Sequence, residues 1–181
     1  MTALPPVQFD QLPKSIDAFV TLRNQAAATP QGGAAMMVVA LLVYAEDEEL
    51  GQQCLTVAVD RERLFEGPKG YKGWQLSNRE LQFLRRQLEG KAYLPRSYVA
   101  GTSPEGGYLL ADPPYKIECT DNQYSGDSAS GTYKVFVACS GAASPRPVTV
   151  KVNDKGIWKA LEWSSLVVGV QPPAKRTSDD L

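Results

Sequence analysis

The sequence predicts an α+β fold, with N-terminal helices packed on one face of a C-terminal antiparallel β-meander. Three observations lead to this prediction. Helical spacing and capping residues dominate the first half, apolar and polar residues alternate in the second half, and a continuous apolar run at residues 34–45 requires burial. We expect one domain over residues 1–173, with a helical half at about 13–90, a β half at about 108–170 and a flexible tail at 174–181.

Two helix starts precede the apolar run. Ser15 is a favourable N-cap, and Asp17 places a negative charge in the first turn, where the helix dipole stabilises it. Thr29 followed by Pro30 is a second start, with proline at the first helical position. This second helix is apolar on all sides, so we expect it at the centre of the fold. A strand over residues 36–44 is the alternative, because periodicity does not distinguish the two in a continuous apolar run.

Two further helices follow. Asp47 is expected to cap a third helix, which carries Cys54 on its apolar face. Residues 67–74 are dense in Gly and Pro and predict a loop. Ser77 and Glu80 have the spacing of a capping box, which begins a fourth helix that ends near residue 90. The inward face of that helix comprises Leu81, Leu84 and Leu88.

The second half has the pattern of a meander. Strands are predicted at residues 115–120, 133–139, 148–152 and 157–163, and a last short one at 166–170. Residues 153–156 fit a type I turn closed by a glycine bulge. Trp158 and Trp163 are five positions apart on one predicted strand, so they should face opposite sides of the sheet. We expect one of them in the core and the other exposed as an anchor for a partner.

Composition excludes several classes of site. The chain of 181 residues has a net charge of −1 and no His, which excludes a Ser-His-Asp triad, a Cys-His dyad and a His-ligated metal. The three Cys residues lack CxxC spacing, so we expect reduced thiols and no zinc site, although Cys119 and Cys139 on neighbouring strands leave a disulfide open. We expect no cofactor and no metal.

The expected location is the cytoplasm. The first fifteen residues lack the basic and apolar regions of a secretory signal. The apolar run at residues 34–45 is shorter than the roughly 20 residues that a transmembrane helix requires.

The most suggestive binding segment lies at residues 67–74, where cations alternate with aromatic residues. This combination binds single-stranded nucleic acid, sugars or an acidic protein surface. The alternative is a plain connector in which Trp74 packs on the core, and Glu62 and Glu66 reduce the local positive charge. The candidate binding residues are Lys69, Tyr71, Lys72, Trp74, Arg96 and Tyr98.

Other polar loops carry weaker signals. Residues 101–108 lack the Lys-Ser/Thr of a phosphate-binding loop, so Gly106 and Gly107 are expected to serve turns. Asp121 and Asp127 lack the spacing of a calcium-binding EF-hand loop. The acidic residues that an acid–base pair would require are scattered, and the sequence leaves their convergence open: Glu105, Glu118 and Glu162.

Three stretches resemble a family of bacterial proteins that carry a domain of unknown function. They are YKGW at residues 71–74, YLPRSYVAGTSPEGGY at 93–108, and CSGAASPRPVTVKVNDKGIWKALEWSSLVVGV at 139–170. The resemblance implies a bacterial, intracellular protein. It implies no activity, cofactor or catalytic residue.

The hypothesis that we favour from the sequence is a non-catalytic binding or assembly module of a bacterial cytoplasmic system, with another protein as its partner and no membrane association. The first alternative is a His-free enzyme, a hydrolase or a sugar-active protein, that uses a pair of carboxylates. Nucleic-acid binding is the least favoured alternative, through Arg61, Arg63, Lys69, Lys72, Arg85 and Arg86.

Overall fold

The first three helices begin at the caps that the sequence predicts. In the computed structural model, which describes residues 1–175, the side chains of Ser15, Thr29 and Asp47 accept hydrogen bonds of 3.1, 3.2 and 3.0 Å from the backbone N–H three residues on. The fourth helix begins at the predicted capping box of Ser77 and Glu80. The helices are α1 (Ile16–Ala26), α2 (Pro30–Glu46), α3 (Glu48–Ala58), α4 (Asn78–Leu88) and α5 (Tyr93–Arg96).

Helix α2 is the central element. Every residue from Gln31 to Tyr44 is buried, and Met36, Val39 and Leu42 are at most 3% exposed. The helix packs against α1 and α3 on one side and against the sheet on the other. The alternative of a strand over residues 36–44 is therefore wrong. The Thr29 cap and the following proline begin a helix, and an apolar surface on all sides is buried when neighbours cover every face.

The main sheet has five antiparallel strands, which pair in the order Thr2–Ala3 (β1), Cys119–Asp121 (β6), Thr132–Val137 (β7), Arg146–Val152 (β8) and Trp158–Glu162 (β9). The alternate residues Val135, Val137, Val148 and Val150 are buried, on the pattern expected of a sheet that one layer of helices covers. The strands are β1 (Thr2–Ala3), β2 (Val7–Phe9), β3 (Phe65–Tyr71), β4 (Trp74–Gln75), β5 (Tyr115–Ile117), β6 (Cys119–Asp121), β7 (Thr132–Val137), β8 (Arg146–Val152) and β9 (Trp158–Glu162). These helices and strands confirm the α+β class.

The outer edge of β9 is covered by the helical layer. The N–H of Trp158 donates to the carbonyl of Ala27 at 2.8 Å, and the N–H of Asp60 donates to the carbonyl of Ala160 at 2.8 Å. Gly33 of α2 lies so close to this strand that an added Cβ would be 2.7 Å from the carbonyl oxygen of Trp158. These contacts fix the ends of α1 and α3 beside β9.

The prediction of a loop at residues 67–74 is wrong, because this segment forms the hairpin β3–β4. Lys72 and Gly73 form its two-residue turn, with φ angles of +51° and +82°. Positive φ at both positions is the geometry of a tight hairpin turn. Gly70 lets the hairpin approach α3, since a Cβ there would lie 2.3 Å from the Thr56 hydroxyl. Glycine, which suggests a loop in the sequence, here permits close packing.

Two predictions for the C-terminal segment are also wrong. The expected strand at residues 166–170 is absent from the described part of the chain, and a short 3₁₀ helix spans Ser164–Val167. Both Trp158 and Trp163 are buried, at 9% and 5% exposure. Trp163 follows the end of β9, where strand alternation no longer determines which way a side chain faces.

The predicted strand at residues 115–120 is divided between two sheets. Strand β5 pairs with β2 in a separate two-stranded sheet, whereas β6 joins the main sheet. Cys119 lies opposite Val137 in the register of β6 and β7, and Cys139 lies beyond the end of β7. All three thiols are free in the structure, and the reduced state of the cysteines stays a prediction.

The predicted tail is described only in part. The N–H of Ala174 donates to the carbonyl of Pro104 at 2.9 Å, while residues 176–181 lie outside the described residues. Over the 175 residues described, no helix has the length and hydropathy that crossing a bilayer demands.

Candidate functional site

A small pocket lies where α1, α3, the β3–β4 hairpin and the β8–β9 turn meet. Its volume is about 340 Å³. We call it the basic–aromatic pocket because its lining combines five cations with Tyr71 and Trp74. The complete lining is Arg23, Thr56, Val57, Arg61, Leu64, Tyr71, Lys72, Trp74, Lys155 and Lys159.

Backbone pairing places the cations together. Val59 forms a parallel bridge with Ala160, which brings the 3₁₀ turn that carries Arg61 beside Lys159 of β9. Arg23 lies in the last turn of α1 and donates from Nη1 to the carbonyl of Val57, at 3.5 Å. The pocket therefore depends on the contact between the helical layer and the edge of the sheet.

Two of the cations lie over aromatic rings. The Cζ atom of Arg61 is 4.3 Å from the centre of the Trp74 ring, and Nζ of Lys72 is 5.2 Å from the centre of the Tyr71 ring. Such contacts are worth about 0.5–1 kcal/mol each at exposed sites. They orient the charged groups without neutralising them.

The pocket carries an unbalanced positive charge. No Asp or Glu belongs to its lining. In the part of the chain that the structure describes, the four salt bridges use cations elsewhere: Lys14, Arg63, Arg85 and Lys151. The five pocket cations thus have no carboxylate within salt-bridge distance among residues 1–175, although the whole chain has a net charge of −1.

This environment lowers the pKa of Lys159. Partial burial, together with the positive charge of Arg23, lowers the pKa of the Lys159 ammonium to about 8, and Asp60 opposes the shift weakly. Burial also lowers the pKa of Arg23. The amine of Lys159 is therefore a mixture of charged and neutral forms near pH 8.

The six residues proposed from the sequence are not brought together. Tyr71, Lys72 and Trp74 line the basic–aromatic pocket, whereas Lys69 lines a different groove. Arg96 is the last residue of α5. Tyr98 is 1% exposed, and its hydroxyl donates to the carbonyl of Leu166 at 2.7 Å. The role of these residues in binding stays a prediction.

The groove that contains Lys69 is larger, at about 720 Å³, but its charges are balanced. Glu48 and Glu49 belong to its lining together with Lys69 and Arg85, and Arg85 forms a salt bridge with Glu48. A charged ligand binds less favourably to a site whose own charges are already paired than to a site whose charges are unpaired.

The residues of the rival hypotheses are dispersed. Of the six cations considered for nucleic acid, Arg61 and Lys72 line the pocket, and Lys69 and Arg85 line the larger groove. Arg63 pairs with Glu162, and Arg86 belongs to neither lining. Of the scattered carboxylates, Glu118 lines a cavity near α5.

Sequence reasoning missed Arg23, Lys155 and Lys159 as pocket residues. A signal was present for two of them. Arg23 follows the three–four spacing of an otherwise apolar helix stripe, and Lys159 stands between the buried Trp158 and Ala160. Lys155 is an exposed turn residue and gives no signal.

Comparison with known proteins places the chain in a family. The comparisons with curated proteins and with solved structures gave no match. A family model described as "Domain of unknown function (DUF6935)" matches residues 11–174, which is most of the chain and contains every residue of the basic–aromatic pocket. The chain therefore belongs to the DUF6935 family.

Proposed function

We propose that this protein is a non-catalytic binding module that holds an acidic segment of a partner protein in the basic–aromatic pocket. The observation that carries the proposal is the set of five clustered cations without a carboxylate partner in the described residues. Cations that are fixed on aromatic rings and lack a counter-ion favour an anionic ligand, because the ligand supplies the missing charge.

The composition of the lining supports a protein partner. Trp, Tyr and Arg are the residues most enriched at the energetic centres of protein interfaces, and Arg61, Tyr71 and Trp74 lie side by side here. A volume of about 340 Å³ is at the small end for sites of small molecules and is large enough for one or two side chains. The bacterial cytoplasmic setting rests on the family resemblance and belongs to this proposal.

Binding to fluorescent peptides tests the proposal. An acidic peptide of alternating Glu and Gly should bind in low salt and weaken as salt rises, and a Lys-Gly peptide should not bind. The double variant Arg61→Glu with Lys72→Glu should lower the affinity at least tenfold. The control is Lys91→Glu with Lys116→Glu, two exposed changes outside the pocket that alter the net charge by the same amount, and it should have little effect. Equal affinity for both peptides, or an equal loss in this control, would refute the proposal.

A DNA oligonucleotide of 20 bases provides the competing outcome. If it binds more tightly than the acidic peptide, and if the double variant abolishes that binding, the ligand is nucleic acid and a protein partner is excluded.

A further inference from the structure

We infer that the acidic group taken by the basic–aromatic pocket is a phosphomonoester dianion on a side chain of the partner, and that Lys159 takes up a proton when it binds. This inference rests on the proposed function and specifies the chemistry of its ligand.

The number of cations exceeds what one carboxylate neutralises. A carboxylate carries one negative charge and two acceptor oxygens, whereas a phosphomonoester carries about −1.5 to −2 at neutral pH and three strong acceptor oxygens. Five cations that line about 340 Å³ match the second group better. Neighbouring Asp or Glu side chains of a partner would have to enter together to supply an equal charge.

The two arginines have the donor geometry that phosphate recognition uses. The Cζ atom of Arg61 is 4.3 Å from the centre of the Trp74 ring, and this cation–π contact leaves the N–H groups of the guanidinium able to donate to oxygen acceptors. Within residues 1–175, none of these N–H groups donates to a protein acceptor. Arg23 is tied to the carbonyl of Val57 and the side chain of Asn24, which hold it in the wall. Planar donors of this kind bind phosphate oxygens in pairs.

The remaining wall suits the carbon part of the ligand. Val57 is buried and Leu64 is half-buried at the pocket, so the lining offers apolar surface next to the cations. A free inorganic ion gains nothing from that surface, whereas the carbon stem of a phosphorylated side chain does. This difference favours a phosphorylated residue over inorganic phosphate.

Lys159 couples the site to pH. The charged groups around it are Arg23 on α1, Asp60 before the 3₁₀ turn, and the pocket cations of the hairpin and the β8–β9 turn. The Asp60 carboxylate already accepts a hydrogen bond of 3.0 Å from the N–H of Glu62. In the free pocket, burial and then the charge of Arg23 disfavour the ammonium form, and a bound dianion favours it. Near pH 8 the ligand should therefore draw about half a proton onto Lys159.

Calorimetry measures both parts of the inference. The ligands are a phosphoserine peptide, the same peptide with Glu in place of phosphoserine, and phenyl phosphate as a free phosphomonoester. Each is titrated at pH 8 in HEPES and in Tris, whose different ionisation enthalpies report the number of protons exchanged. We expect the phosphoserine peptide to bind at least tenfold more tightly than the Glu peptide, with uptake of about half a proton.

Two variants test whether Lys159 is the group that takes up the proton. Lys159→Arg keeps a positive charge that does not titrate near pH 8, so it should retain binding and lose the proton uptake. Lys159→Met should lose the uptake and also weaken binding. Proton uptake that persists in Lys159→Arg would refute the role of Lys159, even if the phosphopeptide binds tightly.

The outcomes separate this inference from the proposed function. If the Glu peptide binds as tightly as the phosphopeptide, the phosphate specificity is wrong and the acidic-segment proposal stands. If phenyl phosphate binds as tightly as the phosphopeptide, the ligand is a small phosphate ester and the partner side chain is wrong. If none of the three binds, both proposals fail.

Discussion

Replacing Lys159 with Met should stabilise the fold at neutral pH, and the gain should decrease as the pH rises. In the folded protein, burial and the charge of Arg23 hold the pKa of this amine at about 8, below its ordinary value of 10.5. Below pH 8 the folded protein therefore carries an ammonium in an unfavourable place. Met removes that charge and keeps a long unbranched side chain.

The size of the effect follows from the pKa shift. A decrease in pKa from 10.5 to about 8 corresponds to at most about 3.4 kcal/mol. Lys159 is only partly buried, so solvent screening reduces the expected gain to about 1–2 kcal/mol. Between pH 8 and 10.5 the unfolded chain binds more protons than the folded one, so the contribution of Lys159 to stability rises with pH.

Urea unfolding of both proteins at pH 7, 8, 9 and 10 provides the assay. Burial raises the pKa of other groups, among them Cys54 and Cys119, and these lower the stability of both proteins at high pH. These contributions cancel in the difference between the free energies of unfolding of the two proteins, so that difference reports Lys159 alone. A difference that stays constant with pH would refute the reasoning, as would a variant less stable than the parent at pH 7. Lys116→Met, an exposed change on β5, should give a small difference at every pH.

Three further predictions concern the scaffold of the site. Gly33→Ala should destabilise the fold by about 1–3 kcal/mol in urea unfolding, because its Cβ would lie 2.7 Å from the carbonyl oxygen of Trp158. Ser77→Ala should cost about 1 kcal/mol in the same assay, because the capping box of α4 is lost. The thiols of Cys54 and Cys119 should resist a thiol reagent in the native state and react in urea, since burial raises the pKa of each to about 12.

Matched controls accompany these three predictions. Gly106→Ala brings its new Cβ to 3.1 Å from the Ser103 hydroxyl and 3.7 Å from the Ser103 carbonyl oxygen, a far looser fit than at Gly33, and should change stability little. Ser144→Ala removes an exposed hydroxyl and should be nearly neutral. Cys139 is half-buried and should react before the other two thiols. Stability losses equal to those of the controls, or uniform labelling of the three thiols, would contradict the packing described above.

Local patterns in the sequence were sufficient for the helical layer. The caps at Ser15, Thr29, Asp47 and Ser77 were predicted correctly, because a cap is satisfied by backbone groups within three residues of it. Class α+β followed from the change in periodicity between the two halves. The boundary of a single domain over residues 1–173 stays a prediction.

The candidate site was only half accessible to sequence reasoning. Tyr71, Lys72 and Trp74 are neighbours in the chain, and their alternation of charge and ring indicated binding. The hairpin that presents them was missed, because Gly70 serves close packing on α3 and this packing involves a residue distant in sequence.

The composition of the chain by itself excluded His chemistry, and its local patterns determined where the helices begin. Only the tertiary structure decided that Arg23, Arg61 and Lys159 meet in one pocket, since a bridge between Val59 and Ala160 joins segments about 100 residues apart. Charges so far apart in the chain influence one another only after folding, when burial and proximity change their energies.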